Sequence, residues 1–183
     1  MAQFIAFDPK VEVNAETVLS IVDAMKGFET LAKQILSKNG IDDPKPGQWF
    51  KQQAWLDSFK EISAKLGAST LFNIGKAIPE NAKFPPDIDS LQKGLSLIDV
   101  AYHMNHRNGE IGYYKLVSYD EQGKVATMEC KNPYPSHFDK GIISTFARKF
   151  KPANAKNIIV ELDSSKPSRL DNAESCWYIV SWS

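Results

Sequence analysis

Two of the three histidines in the chain, His103 and His106, stand in the stretch "AYHMNH", at the end of an apolar run with helical spacing. Asp99 lies four residues before His103, so on a helix its carboxylate and the imidazole share a face. A carboxylate in that place hydrogen-bonds one ring nitrogen and turns the other toward a metal or a haem iron. On a helix of about 100° per residue, Ile88, Leu91, Leu95, Ile98 and Tyr102 form an apolar seam roughly 80° wide. His106 falls closest to that seam, with Asp99 and His103 beside it. The competing reading is structural: histidines near a helix C-terminus are favoured by the macrodipole and bond the last carbonyls. Geometry alone favours this second role.

Other reactive residues are sparse. Cys130 and Cys176 are the only cysteines, and His137 follows Cys130 by seven residues across a proline turn. A cysteine nucleophile needs a base close by, so Cys130 with His137 is the pair that a small cysteine-dependent enzyme would use. The bland alternative is a buried strand cysteine and a solvated histidine at a helix start. A closed zinc site needs four Cys or His ligands at close spacing, which these isolated cysteines and the AYHMNH histidines do not supply. No GxxxxGK[ST], GxGxxG or GxSxG pattern is present, so nucleotide-phosphate and hydrolase-elbow chemistry has no support. The expectation is a binding protein and not an enzyme. Trp49, Phe50, Trp55, Phe59 and Phe72 are either plain core or the lining of an apolar pocket.

The elements that must position these residues follow from periodicity. Asn14 suits a helix N-cap, Gly27 interrupts the helical stretch after it, and Gly40 stands where a glycine cap belongs. A second helix runs through "WFKQQAWLDSFKEISAKLG". A shorter one, "STLFNIGKAI", is expected to stop at Pro79, and another covers about residues 88 to 105. The apolar period then changes from 3.6 to 2. "EIGYYKLVSY" and "KVATMEC" flank the hairpin connection "DEQGK". "HFDKGIISTFARKF" is an amphipathic helix, with Ser136 and Asp139 spaced as a capping box. "NIIVELD" and "CWYIVSW" are two further strands. The fold class is therefore α+β: an N-terminal helical half (about 14–105) followed by β-β-α-β-β (about 108–183) with a four-stranded, mainly antiparallel sheet. The middle helix is expected across one face, with the N-terminal helices closing the other side or an edge.

At 183 residues, with 43% apolar and 24% charged residues, one domain spanning 1–183 is expected. Lys+Arg and Asp+Glu balance at 22 each, which argues against nucleic acid as a partner. No apolar run approaches the roughly 20 residues of a membrane span. No signal-peptide pattern is present and there is no disulfide framework, so the expected location is the cytoplasm.

Three stretches carry a resemblance that runs from about residue 15 to the C-terminus. "EISAKLGASTLFNIGKAI…FP", "MECKNPYPSHFDKGIISTFARKF" with its Gly141, and "AESCWYIVSW" are similar to passages of the ligand-binding superfamily that unites haem nitric-oxide/oxygen-binding domains, four-vinyl-reductase domains and TRAPP-type trafficking subunits. The first resembles the helix pair packed over the haem in the gas-binding branch. The resemblance implies a proximal haem histidine on the helix before the first hairpin, a place that His103 best fits. That branch also holds the haem propionates with Tyr-x-Ser-x-Arg. The matching stretch here, Cys130-Lys131-Asn132-Pro133-Tyr134, has none of the three residues in place.

The resemblance implies a stand-alone sensory or carrier domain that binds a small hydrophobic or tetrapyrrole-like molecule between helices and sheet and signals through a partner protein or self-association. The ligand-binding residues expected are His103, Tyr102, Cys130, Asn132, Tyr134 and Phe72. The alternatives are a haem-binding gas sensor with His103 as the axial iron ligand, the cysteine-dependent enzyme above, and a purely structural subunit like the trafficking branch.

Overall fold

The structure, a computed structural model, describes residues 3–183. Its C-terminal half is a four-stranded antiparallel sheet of β4 (Tyr113–Asp120), β5 (Val125–Lys131), β6 (Ile158–Leu162) and β7 (Cys176–Trp182), in the order β4-β5-β7-β6. Side chains alternate across a strand, and β5 and β7 follow that rule closely. Ala126, Met128 and Cys130 are buried, opposite Val180, Tyr178 and Cys176 in register. The helix between the hairpins, α6 (Ser136–Lys149), lies on that apolar face through Phe138, Ile142, Ile143 and Phe146. The α+β architecture expected from the change of period is the one observed.

The N-terminal helices do not close the other face of the sheet, where Lys115, Ile159 and Glu161 remain exposed. They stack outward from α6 instead. α4 (Ala68–Asn81) packs on α6, while α1 (Ala15–Ala24) and α3 (Gln52–Leu66) pack on α4, and α2 (Glu29–Lys38) rests on α1 and α3. α5 (Leu91–Met104) runs beside α6 and β4. The reason lies at the α4–α6 crossing, where two glycines meet. A Cβ on Gly75 would collide with the Phe138 carbonyl oxygen, and one on Gly141 with that of Phe72. Only glycine permits such an approach of backbones.

Several local expectations hold and others are corrected. Asn14 caps α1, accepting from the Thr17 N–H at 2.9 Å, and Gly27 and Gly40 both take positive φ between and after α1 and α2. α4 runs through Pro79 to Asn81 and does not stop at the proline. Pro79 is buried near the helix end, so only one interior bond is forfeited. Ser136 and Asp139 form no capping box: Pro135 is the N-cap, and the buried Asp139 serves a different partner. Three short strands were not legible from periodicity. β1 (Glu12–Asn14), β2 (Trp49–Lys51) and β3 (His106–Arg107) form a small sheet in the order β2-β1-β3, joining the N-terminus to the end of α5.

Candidate functional site

α5 decides where the two histidines go. Ser90 caps its start and Asn105 ends it, so Leu91, Leu95, Ile98 and Tyr102 face the core. His103 falls on the outer side of the last turn. Its side chain is 52% exposed, and its Nδ1 lies 2.9 Å from the Asp99 carbonyl oxygen and 3.5 Å from the Asp99 carboxylate. The pairing with Asp99 thus exists, on the surface. Asp99 also accepts from the Tyr114 N–H at 2.8 Å, which ties α5 to β4.

His106 lies past the helix end, in β3, where its backbone is in register with Val13. The change of direction turns its ring inward, leaving the residue 8% exposed. Its Nδ1–H donates to the Tyr102 carbonyl at 2.8 Å, in the last turn of α5, where the Asn105 N–H is the carbonyl's other donor. Its Nε2 then carries the lone pair and accepts the Tyr134 hydroxyl at 2.6 Å. Burial holds the imidazole's pKa down at about 4, against some support for the charged form from the Tyr102 carbonyl, so the ring is neutral at physiological pH. Tyr134 is buried among Phe59, Phe138, Tyr102 and His106, and its hydroxyl also receives the Gln52 amide at 3.4 Å. The Tyr102 hydroxyl donates to the Ile111 carbonyl at 2.5 Å. Burial pushes both phenols' pKa values up, so each stays a neutral donor.

These residues form part of the wall of an apolar pocket of about 350 Å³ between the C-terminal end of α4, the loop after it, α5 and α6. Phe84, Leu97, Ala101, Phe138, Ile142 and Phe146 supply much of the remaining lining, and Met104 and Lys83 also border it. Such a volume and lining suit a small organic guest held by apolar burial and a few placed polar groups.

Of the residues expected to bind a ligand, the pocket gathers Tyr102 and Tyr134. His103, Cys130, Asn132 and Phe72 do not line it. Phe72 is half-buried on α4, 5.7 Å from the Lys76 ammonium. Asn132 lies behind the pocket, where its side-chain oxygen accepts from the Tyr134 N–H at 2.9 Å and its amide approaches Asp139 at 3.4 Å. Cys130 sits under a buried ion pair, its carbonyl accepting from Arg169 at 2.5 Å. Arg169 comes from a short 3-10 turn (Arg169–Asp171) in the loop before β7, and its guanidinium pairs with Asp139, which also accepts the Tyr114 hydroxyl at 2.6 Å. Burial raises the Asp139 pKa, and Arg169, Tyr114 and Asn132 pull against it without cancelling it. Burial likewise opposes the Arg169 charge, and Asp139 together with Cys176, Tyr178 and Cys130 more than offsets it. A guanidinium and a hydroxyl both directed at it favour the ionised carboxylate.

Burial also pushes the Cys130 thiol up, and among the described residues no hydrogen bond joins it to His137. That is the opposite of an activated thiolate. No cluster of three or more His, Cys, Asp or Glu residues suited to a metal ion exists among the described residues. No helix among them is long and apolar enough to cross a membrane.

His106 is the residue that sequence reasoning placed at a helix end and did not assign to the site. The signal was its position nearest the apolar seam. The inward turn depends on β3 pairing with β1, which two residues of strand do not announce.

No family model matches the chain, and no curated protein matches it either. Its similarity is to solved structures. An H-NOX protein from S. oneidensis in the Fe(II) ligation state aligns with a TM-score of 0.69 at 11% identity, over 93% of this chain and 96% of that one. An oxygen-binding H-NOX domain related to soluble guanylate cyclases, solved as its oxygen complex, aligns with a TM-score of 0.64 at 15% identity, over 91% of each chain. An unliganded Fe(II) H-NOX mutant from K. algicida gives 0.62 at 13%, over 93% and 96%. The likeness extends along nearly the whole length, and the chain has the fold of the H-NOX domains.

Proposed function

We propose that this chain is a sensor domain of the H-NOX kind, which holds a small apolar guest in the pocket between α4, α5 and α6 and passes its occupancy to a separate protein or a second copy. The observation that carries this reading is the pocket itself, apolar over most of its wall, with His106, Tyr102, Tyr114 and Tyr134 as buried residues that bring polar atoms to it. Burial of the guest's apolar surface at about 25 cal/mol per Å² supplies the affinity, and the polar side chains set its orientation. Val100 and Met104, 53% and 73% exposed, lie on the pocket's border and form the outward face through which a partner would read α5.

The second reading is haem, favoured by the fold neighbours, among them one described by its haem redox potential and porphyrin distortion. The imidazole of His106 fits an iron ligand once Tyr134 releases it: it is neutral, its Nδ1–H is held by a backbone carbonyl, and its Nε2 carries the lone pair. His103, on the outer side of α5, is the poorer candidate. The carboxylate anchor departs from the family pattern. Arg107 pairs with Glu12, Arg148 with Glu80 and Arg169 with Asp139, so the propionates would have the exposed Lys83 at the pocket border. When bound, haem supplies an iron able to take a diatomic gas. His106 would hold it and Tyr134 would have to release Nε2.

The experiment is reconstitution with haem followed by absorption spectroscopy. A Soret band that survives His103→Ala and is lost in His106→Ala supports the haem reading. Absence of any Soret shift, with uptake of small apolar probes, leaves the first reading alone.

A further inference from the structure

The contact between His106 and Tyr134 has a consequence for the chemistry of the guest. Both residues line the pocket, both are buried, and the single proton they share is the Tyr134 hydroxyl donated to Nε2. Behind Tyr134 stands Gln52, fully buried, whose amide reaches the same hydroxyl at 3.4 Å while its Oε1 meets no hydrogen-bond donor. A half-turn of the carboxamide exchanges its donor and acceptor. After it, the Tyr134 hydroxyl can donate to Gln52 Oε1 and leave Nε2 of His106 open toward the pocket. The wall by itself then keeps one of its two hydrogen bonds, and a donor from the guest to Nε2 restores the count.

Resting on the proposed pocket reading, we infer that the guest is a neutral molecule with an apolar body and one hydroxyl or N–H donor, which it gives to Nε2 of His106 in place of Tyr134. Neutrality follows from the lining. At Nε2 a carboxylate would bring two acceptors to a lone pair that is itself an acceptor, Lys83 standing only at the exposed border, and an ammonium would lose its water against Phe84, Phe138 and Phe146. A hydroxyl or an N–H meets the demand that the exchange leaves at Nε2.

The test uses two probes of equal shape, 4-ethylphenol and 4-ethyltoluene, titrated calorimetrically into the whole chain. The unaltered protein is expected to prefer the phenol by at least threefold. Tyr134→Phe removes the competing donor and leaves Nε2 unpaired, so the preference should widen to about tenfold. His106→Phe should abolish it. Should a variant fail to fold, the ¹⁵N resonance of His106 Nε2 in the unaltered chain gives the same answer, moving with the phenol and not with the toluene. Equal binding of the two probes, or an unmoved resonance with the phenol bound, overturns the inference and leaves the pocket intact. Failure of both probes to bind removes the pocket reading with it.

Discussion

His106 pairs a buried, neutral ring with an ordinary unfolded pKa near 6.5, and the gap between the two states has a sign that can be measured. The folded value is about 4. Between those limits the unfolded chain binds a proton that the folded chain refuses, so stability is complete above about pH 6.5 and falls as the pH drops toward 4. The expected loss is roughly 3 kcal/mol across that window. Urea titrations at pH 7 and pH 4.5 should show it in the unaltered protein and show it reduced in His106→Phe. A second prediction belongs to Arg169 and Asp139, both essentially without solvent exposure. Arg169→Met leaves a buried carboxylate without its partner and should cost about 3–5 kcal/mol. Adding Asp139→Leu should recover much of that loss, whereas two independent sites would give additive penalties.

At the scale of elements, the crossing of α4 and α6 holds the pocket's floor in place. Gly141→Ala drives a methyl group into the backbone of Phe72 and Lys76 and should destabilise by about 1–3 kcal/mol, read as a lowered melting temperature. Gly141 was visible in the sequence as part of the strand-to-helix passage, and the β-β-α-β-β order followed from the change of apolar period near residue 108. The three short strands were not visible, because two or three residues carry no periodicity. With them went the placement of His106, whose ring turns inward only because β3 pairs with β1. His103 shows the converse. Its i, i+4 relation to Asp99 is real, and a helical wheel cannot tell a pair at the edge of a seam from one beyond it. Arg169 was illegible for another reason: it reaches Asp139 from a loop far along the chain, and no spacing rule predicts such a contact.

Over the whole molecule, the helices build outward from one face of the sheet, and the pocket opens where α4, α5 and α6 converge. Filling it should separate binding from folding. Ala101→Phe places a ring in the cavity from α5 and should abolish uptake of any guest while leaving far-UV circular dichroism unchanged. The central claim, that this pocket is a guest site, is tested most directly by native mass spectrometry of the freshly purified chain, before and after addition of haem and of an apolar probe. One small guest per chain is expected, retained on purification or taken up on addition, and lost in Ala101→Phe. A bare chain mass under every condition would contradict it.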